Sequence, residues 1–246
     1  MPQAQVSALV LSSMPLNEQD KLVCLLTAKR GMLKAVAPGA AKMKNRFGSL
    51  LELFTAGDFY IYWNEEKELA TLAKGEIKES FFDVVSSADN IFYFYLIAEI
   101  VLKFVHLNQH DQRLYRLLLA ILRGRRGKQL AMDWLLLYFL AWFLRSEGLL
   151  FNPGQCANCA SAPLARGWVR RDYRGLLCAG CKTDERLTLG REELTYLQWT
   201  ARHHPRQSGA WAGRFQPAAM IRLLAGKIEY HGEFTLQSSR YLPEFR

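Results

Sequence analysis

Two tight pairs of cysteines in the second half of the chain constrain its fold more than any other feature. The first pair is Cys156-Ala-Asn-Cys159, and the second pair, Cys178-Ala-Gly-Cys181, follows it after 18 residues. Two residues between the members of a pair let both sulfurs of one tight turn bind the same ion. Two such turns supply the four thiolates of a closed tetrahedral site. We therefore expect Cys156, Cys159, Cys178 and Cys181 to bind one structural zinc ion.

The spacing leaves two other chemistries open for these cysteines. An iron–sulfur cluster also takes four thiolates, and a CxxC pair can act as a redox couple. Disulfides are disfavoured, because the first residues lack a secretory signal and the chain is expected to be cytoplasmic. The segment Gly167–Leu177 alternates enough to form a β-hairpin, so we predict a zinc-ribbon-like insert at about residues 153–188. The fifth cysteine, Cys24, lies in an apolar run and is predicted to be a core residue.

Residues 1–80 carry the pattern of a β-domain. Short runs rich in β-branched and aromatic residues are separated by breaks that contain glycine, proline or aspartate. The predicted strands are Val6–Leu11, Leu22–Thr27, Gly31–Ala37, Leu50–Phe54, Phe59–Trp63 and Leu69–Ile77. Strands this close together leave no room for crossover helices, which favours a small antiparallel barrel or sandwich.

Residues 81–246 are predicted to form a helical domain around the cysteine insert, which makes the chain a multidomain α+β protein. The predicted helices are three runs between residues 90 and 147, then Arg191–Ala201 and Pro217–Tyr230. Gly124 and Gly127 are expected to break the helical pattern and to leave an exposed, arginine-rich turn. Two long apolar stretches begin at Ile91 and Leu130. Charges interrupt the first, and the second is too short for a bilayer, so no membrane association is expected.

The chain has a net charge of +9 and a pI of about 9.4, which suits a polyanionic partner. From Lys29 to Arg46 there are six basic residues and no acidic one. A flexible cationic loop on a small barrel is a common way to follow a phosphate backbone. The candidate DNA contacts are Arg30, Lys34, Lys42, Lys44 and Arg46. Secondary candidates, which in such charge runs often only solvate a surface, are Arg123, Arg125, Arg126, Arg170 and Arg171.

Aromatic side chains alternate along one predicted strand. Successive residues of a strand point to opposite faces, so either Tyr60 and Tyr62 or the set Phe59, Ile61 and Trp63 faces the core. If the tyrosines lie outside, they offer stacking surfaces for bases. The alternative is that they cover the open end of the barrel.

The sequence lacks the motifs of several common enzyme classes. The phosphate-binding patterns GxxxxGK[ST] and GxGxxG are absent, as are HExxH and GxSxG. We therefore expect a non-catalytic nucleic-acid-binding protein. Three alternatives stay open: a zinc-containing RNA-binding protein of translation or RNA maturation, a zinc-containing nuclease with a non-obvious site, and a scaffold for an acidic protein.

Several short motifs follow one another in an order and spacing that resemble a known family. They are Glu18-Gln-Asp20-Lys21-Leu-Val, Leu26-Thr27, Arg30-Gly31-Met-Leu-Lys34-Ala-Val, Asn45-Arg46-Phe47-Gly48, Leu144-Arg145-Ser-Glu147-Gly148-Leu, the two cysteine pairs, Lys227-Ile-Glu229-Tyr230-His231 and Arg240-Tyr-Leu242. Together they resemble the RecO family of bacterial DNA repair proteins over essentially the whole chain.

The resemblance implies an N-terminal OB-fold, a central helical domain and a zinc-ribbon-like insert. It also implies a recombination mediator that binds single- and double-stranded DNA, anneals complementary strands and helps to load recombinase onto DNA coated by single-stranded DNA-binding protein. The implied partners, at the nucleoid in the cytoplasm, are RecR, the C-terminal tail of single-stranded DNA-binding protein and, indirectly, RecA. One departure is that Pro38 and Ala41 stand where the family commonly has lysine or arginine. It shifts the expected DNA contacts toward Lys42, Lys44 and Arg46.

Overall fold

The computed structural model describes residues 3–63, 68–105, 112–127, 130–183 and 185–245. The chain divides into two compact units, Met1–Arg126 and Gly127–Arg246. The first unit holds a β-barrel followed by helices, and the second holds helices and a small sheet. The N-terminal five-stranded sheet and the helical C-terminal part confirm the predicted α+β class.

Five strands form the barrel of the first unit. They are β1 (Gln3–Pro15), β2 (Lys21–Thr27), β3 (Gly31–Ala37), β4 (Ala56–Tyr62) and β5 (Leu69–Glu79). The strands pair in the order β1-β2-β3-β5-β4, and β4 pairs back to β1, which closes the sheet. The β3–β5 pair is parallel, and the other four pairs are antiparallel.

Alternation along the strands decides which side chains fill the barrel. In β4, Phe59 and Ile61 are fully buried, whereas Tyr60 is half-buried and Tyr62 is exposed. The tyrosines are therefore the outward set, because successive residues of a strand face opposite sides of the sheet. Cys24 is buried in β2, as predicted.

The predicted strand Leu50–Phe54 is wrong. Gly48–Leu51 forms a 3-10 helix, and Phe54 adopts a left-handed conformation with φ of 59°. Leu50 packs so closely on β5 that a Cβ atom at Gly75 would lie 2.7 Å from its Cδ2 atom. Leu50 and Leu51 are buried because their side chains join the barrel core, not because their backbone joins the sheet.

Three helices follow β5 in the first unit. They are α1 (Phe82–Val85), α2 (Ile91–Phe104) and α3 (Gln112–Arg126), and α2 contacts β1 while α3 contacts β2. The prediction that Gly124 breaks the helical pattern is wrong, because α3 continues through it. A glycine inside a helix costs only about 1 kcal/mol relative to alanine. Here Arg123 and Arg126, in the last turn, both pair with Glu79 at the end of β5.

The helices of the second unit are α4 (Met132–Ser146), α5 (Arg191–Trp199) and α6 (Pro217–Gly232), with 3-10 segments at Pro205–Trp211, Ser238–Tyr241 and Pro243–Phe245. Tyr196 of α5 is fully buried at the centre of an aromatic cluster. Its ring centroid lies 5.4 to 5.7 Å from those of Trp134, Trp199, Trp211 and Phe215. Across the described ranges, no helix has the length and apolar character needed to cross a membrane.

Candidate metal centre and nucleic-acid interface

A three-stranded sheet in the second unit positions the four cysteines. Its strands are β6 (Gly167–Arg170), β7 (Leu176–Leu177) and β8 (Glu185–Leu189), in the order β7-β6-β8. The strands β6 and β7 form the predicted hairpin, in which Trp168 pairs with Leu177. The first cysteine turn precedes β6, and the second follows β7 directly. The hairpin therefore brings together two turns that are distant in sequence.

Main-chain hydrogen bonds and small residues fix the first cysteine turn against the hairpin. The N–H group of Ala157 donates to the carbonyl oxygen of Leu176 at 2.7 Å. A Cβ atom at Gly175 would lie 2.5 Å from the Cβ atom of Ala157, so only glycine permits this approach. The N–H group of Cys178 in turn donates to the sulfur of Cys156 at 3.3 Å. Donors of this kind stabilise thiolates.

The four sulfur atoms lie close enough to share one ion. All of them fall within 4.8 Å of one another, and the sulfurs of Cys159 and Cys178 are 3.7 Å apart. A tetrahedral ion with metal–sulfur bonds of about 2.3 Å holds its sulfurs roughly 3.8 Å apart. A disulfide would need a separation of about 2.05 Å. None of the four cysteines forms a disulfide, so the cluster could hold a metal ion.

Hydrogen bonds and crowding shift the pKa values of the thiols in opposite directions. The main-chain N–H of Cys159 is the largest cause that lowers the pKa of Cys156 to about 6. At Cys181, the hydrogen bond from Asn158 lowers the pKa, but the sulfurs of Cys159 and Cys178 and burial outweigh it and raise the pKa to about 11. A cation between the sulfurs would offset this repulsion and allow all four to be thiolates.

The donor set therefore fits a metal ion. The four predicted ligands form one cluster that could hold it, and within the described residues no other group of three or more cysteine, histidine or carboxylate side chains does so. Soft sulfur donors favour zinc or an iron–sulfur cluster over magnesium or calcium. With four thiolates bound, a tetrahedral ion keeps no open position for a water molecule.

The segment Pro38–Phe47, which we name the basic loop, carries three of the predicted DNA contacts. Lys42, Lys44 and Arg46 are exposed, and within the described part of the chain none of them forms an ion pair with a carboxylate. Between the two lysines, Met43 is fully exposed. The loop thus presents cationic groups that are available to phosphates.

Contacts with the turn between β1 and β2 hold the base of the basic loop. The carboxylate of Asp20 accepts a hydrogen bond from the N–H group of Gly39 at 2.8 Å, and the N–H group of Ala41 donates to the carbonyl oxygen of Gln19 at 2.9 Å. The bond from Gly39 is the largest cause that lowers the pKa of Asp20, followed by the side chain of Asn17. The cationic tip therefore projects from an ordered base.

The other two primary candidates lie on the barrel itself. Arg30 occupies the turn between β2 and β3, and its guanidinium lies 4.8 Å from the centroid of the Trp63 ring. Lys34 is half-buried in β3, where it pairs in register with Cys24 of β2 and Leu69 of β5. The structure therefore places the five primary candidates in one unit.

The secondary candidates are engaged in contacts within the protein. Arg123 and Arg126 both reach Glu79 at 2.9 Å, and Arg125 donates to the side-chain oxygen of Asn90 at 3.0 Å. The predicted turn is wrong, because these arginines belong to the last turn of α3, but the predicted exposure of Arg123 and Arg126 is confirmed. In the second unit, Arg170 pairs with Asp172 at 2.9 Å, and the neighbouring Arg171 lies exposed on the hairpin.

Sequence reasoning missed one cation of the barrel, Lys74. The β4–β5 register pairs Ile61 with Leu72 and Tyr60 with Lys74, so that it skips Ala73. This bulge turns Lys74 to the outer face, where its ammonium lies 4.7 Å from the centroid of the Tyr60 ring. A strict alternation from Leu72 would have placed Lys74 inside. In the sequence, Leu72-Ala73-Lys74 interrupts the alternation of apolar and polar residues, and this interruption could have indicated the bulge.

Comparison with known proteins shows the family of this chain. Residues 1–81 match the family described as Recombination protein O N terminal, and residues 85–239 match the family described as Recombination protein O C terminal. The chain belongs to the RecO family. The sequence-based resemblance is thereby confirmed. The boundary between the two family regions lies near residue 80, where the sequence changes character, whereas the compact units divide after Arg126.

Individual RecO relatives cover most of the chain. A protein of Anaeromyxobacter dehalogenans (strain 2CP-1 / ATCC BAA-258) is 32% identical over 74% of this chain and 71% of its own length. A protein of Koribacter versatilis (strain Ellin345) is 28% identical over 93% of both chains. A protein of Clostridium novyi (strain NT) is 27% identical over 72% of this chain and 69% of its own length. Each of the three is named DNA repair protein RecO.

Proposed function

We propose that this chain is a recombination mediator of DNA repair that acts by binding DNA and not by catalysing a reaction. The observation that carries the proposal is the match of both parts of the chain to the RecO family, whose members are named DNA repair proteins. The chain would bind single- and double-stranded DNA and anneal complementary strands. It would also help to load recombinase onto DNA coated by single-stranded DNA-binding protein.

We infer that the barrel is an OB-fold and that the basic loop contacts phosphates. The closed five-stranded sheet supports the first inference. The exposure of Lys42, Lys44 and Arg46, and the anchoring of the loop base through Asp20, support the second. Arg30, in the turn before β3, and Lys34, within β3, are further candidate contacts on the barrel. Contacts of this kind are independent of base sequence and depend strongly on salt.

We also propose that the cysteine cluster holds one structural zinc ion in a zinc-ribbon-like module. The separation of 3.7 Å between Cys159 and Cys178 matches the edge of a tetrahedral zinc–thiolate site. Bound there, zinc would supply a dication that joins the two turns and the hairpin. The ion would therefore stabilise the second unit and would not take part in a reaction.

The proposal extends to the partners that RecO-like proteins engage. They are RecR, the C-terminal tail of single-stranded DNA-binding protein and, indirectly, RecA, in the cytoplasm at the nucleoid. The net charge of +9 supports binding to an acidic tail as well as to DNA. Titration of a labelled tail peptide in increasing salt, and co-elution with RecR, test these contacts separately from DNA binding.

The deciding experiment measures annealing of complementary single strands coated with the host's single-stranded DNA-binding protein. The chain should accelerate annealing without ATP and without cleaving either strand. Replacement of Lys42, Lys44 and Arg46 with alanine should slow annealing. It should also reduce the slope of log affinity against log salt by about 2, because each lost contact to a single-stranded phosphate removes about 0.7.

The matched control removes three exposed arginines elsewhere, Arg166, Arg202 and Arg206, and so changes the net charge by the same amount. If both triple variants behave alike, net charge alone accounts for binding and the assignment of the loop fails. If wild type binds without accelerating annealing, the mediator role fails. A matched RNA strand that competes better than DNA would point instead to RNA maturation or translation. Magnesium-dependent loss of a labelled strand would reveal a nuclease.

A further inference from the structure

A strip of side chains on the outer face of the barrel combines one exposed and one half-buried tyrosine ring with a cation. We name Tyr60, Tyr62 and Lys74 the aromatic strip. Tyr60 and Tyr62 alternate along β4, and Lys74 lies beside Tyr60 on β5. The strip is separate from the basic loop, which connects β3 to the 3-10 helix.

Two features of the backbone create the strip. Phe59 and Ile61 fill the barrel core, so the alternation of β4 leaves both tyrosines outside. The bulge at Ala73 shifts the parity of β5 and moves Lys74 from the inner to the outer face. Bulges commonly re-aim a side chain next to a functional site. Here the consequence is an ammonium group 4.7 Å from the centroid of the Tyr60 ring.

Charged side chains on both sides of the aromatic strip determine its local charge. Asp58, one outward position before Tyr60, accepts a hydrogen bond from Ser7 at 2.7 Å, which favours its charged form and lowers its pKa, and Lys78 at 3.3 Å offsets that charge. The exposed Glu76 of β5 pairs in register with Asp58. On the other side of β5, Lys34 supplies a second cation. Tyr62, with 41% of its surface exposed, offers the most open ring.

We propose that the aromatic strip binds single-stranded DNA by stacking bases on its tyrosine rings while Lys74 contacts the adjacent phosphate. This inference rests on the proposed DNA-binding function and deepens it, because stacking on the aromatic strip selects unpaired strands. Alternate residues of a strand lie about 6.8 Å apart. That distance is about twice the rise of 3.4 Å between neighbouring bases of a duplex strand. The two rings therefore suit bases that have been separated from each other, as in a stretched single strand.

The test compares two single-stranded oligomers of about 16 nucleotides, the upper site size of one such barrel. One is oligo-deoxythymidine, and the other has the same length and charge but abasic sugars. Wild type should bind the thymidine oligomer about tenfold more tightly, the size expected for one stacked base. Tyr62→Leu and Tyr60→Leu should reduce this preference, and Tyr62→Phe should keep it, because the ring stays.

A control variant, Tyr95→Leu, removes a tyrosine of similar exposure (44%) from α2 and should leave the preference unchanged. Equal affinity of wild type for both oligomers would overturn the inference, as would an unchanged preference in Tyr62→Leu and Tyr60→Leu. In either case the proposed function stands if the basic-loop variant still loses affinity for both oligomers. If the proposed DNA-binding function itself is wrong, neither oligomer should bind with an affinity that depends on salt, and this result distinguishes the two failures.

Discussion

The ammonium group of Lys227 donates a hydrogen bond to the main-chain carbonyl oxygen of Tyr173, and this bond ties α6 to the tip of the β6–β7 hairpin. Lys227 is only 2% exposed, and its nitrogen lies 4.9 Å from the ring centroid of Phe151 and 5.8 Å from that of Tyr173. A buried cation thus connects the helix with the module that carries the cysteines.

Burial of this cation predicts a dependence of stability on pH. Loss of hydration lowers the pKa of Lys227 from its usual 10.5 to about 8, and the more distant Asp172 raises it only partly. Between these two pH values the unfolded chain binds more protons than the folded chain. The contribution of Lys227 to the free energy of unfolding should therefore increase from pH 8 to pH 10.5 and stay constant above that range.

Lys227→Met should remove this contribution and flatten the profile over the same window. Five of the six tryptophans lie in the second unit, so denaturant unfolding followed by tryptophan fluorescence reports on it. Lys44→Met, which removes one exposed ammonium from the basic loop, serves as the control. If the Lys227 and Lys44 variants keep the same rise as wild type, Lys227 does not titrate in this range.

Metal content should depend on the clustered cysteines and not on the isolated one. Cys178→Ser replaces a thiolate with a poor zinc ligand and should abolish stoichiometric binding and loosen the second unit. Cys24→Ala should keep one zinc per chain, since Cys24 is buried in the barrel. Elemental analysis of purified protein measures both. A full equivalent of zinc in Cys178→Ser would refute the ligand set, and iron with visible absorption would identify a cluster.

Arg126 should contribute to stability more than to DNA binding. Its guanidinium pairs with Glu79 at 2.9 Å and with Asp83 at 3.3 Å, donates to the carbonyl oxygen of Ser80 and lies 4.5 Å from the ring centroid of the buried Phe81. Arg126→Ala should lower the free energy of unfolding by about 1 kcal/mol, the scale of a partly exposed ion pair with a ring contact.

A double-mutant cycle of Arg126→Ala with Glu79→Ala isolates the ion pair from the other contacts. Coupling between the two changes and an unaltered salt dependence of DNA affinity would agree with a structural role. A salt slope that falls by about 1 in Arg126→Ala would instead make this arginine a phosphate contact.

The features that the sequence predicted well are those set by local spacing. The cysteine cluster and the intervening hairpin could be predicted from the sequence spacing between Cys156 and Cys181 alone, because two tight turns joined by paired strands must meet. The strand Leu50–Phe54 was mispredicted because apolar side chains can be buried either by pairing in a sheet or by packing into the barrel core. Composition does not distinguish these two cases.

Other features depend on contacts that no local pattern contains. The last turn of α3 passes through Gly124 and is bound by Glu79, which lies far away in sequence. Lys74 reaches the outer face because of a bulge at Ala73, and a single skipped residue reverses the predicted face of the positions that follow it up to the next irregularity. The clustered arginines were likewise predicted from charge alone, which cannot reveal their partners.

The bond between Asp20 and Gly39 provides a test of the basic loop that is independent of its charges. Asp20→Ala should release the N–H group of Gly39, so that this amide exchanges with solvent faster and the base of the loop loses order. At low pH, wild type should change in the same direction. The pKa of Asp20 is lowered in the folded protein, so its stabilising contribution is complete above the usual value of 3.8 and is lost as the pH falls through the lowered pKa.

The effect on DNA binding separates loop order from electrostatics. Removing a negative charge near a cationic loop should by itself strengthen binding to DNA, as is expected for the control Asp89→Ala, which removes an exposed carboxylate from the same unit. If the ordered base matters, Asp20→Ala should bind roughly two- to tenfold more weakly than wild type, because the loop must then be ordered on binding. Equal strengthening in both variants would show that the anchoring of Gly39 makes no contribution to the interface.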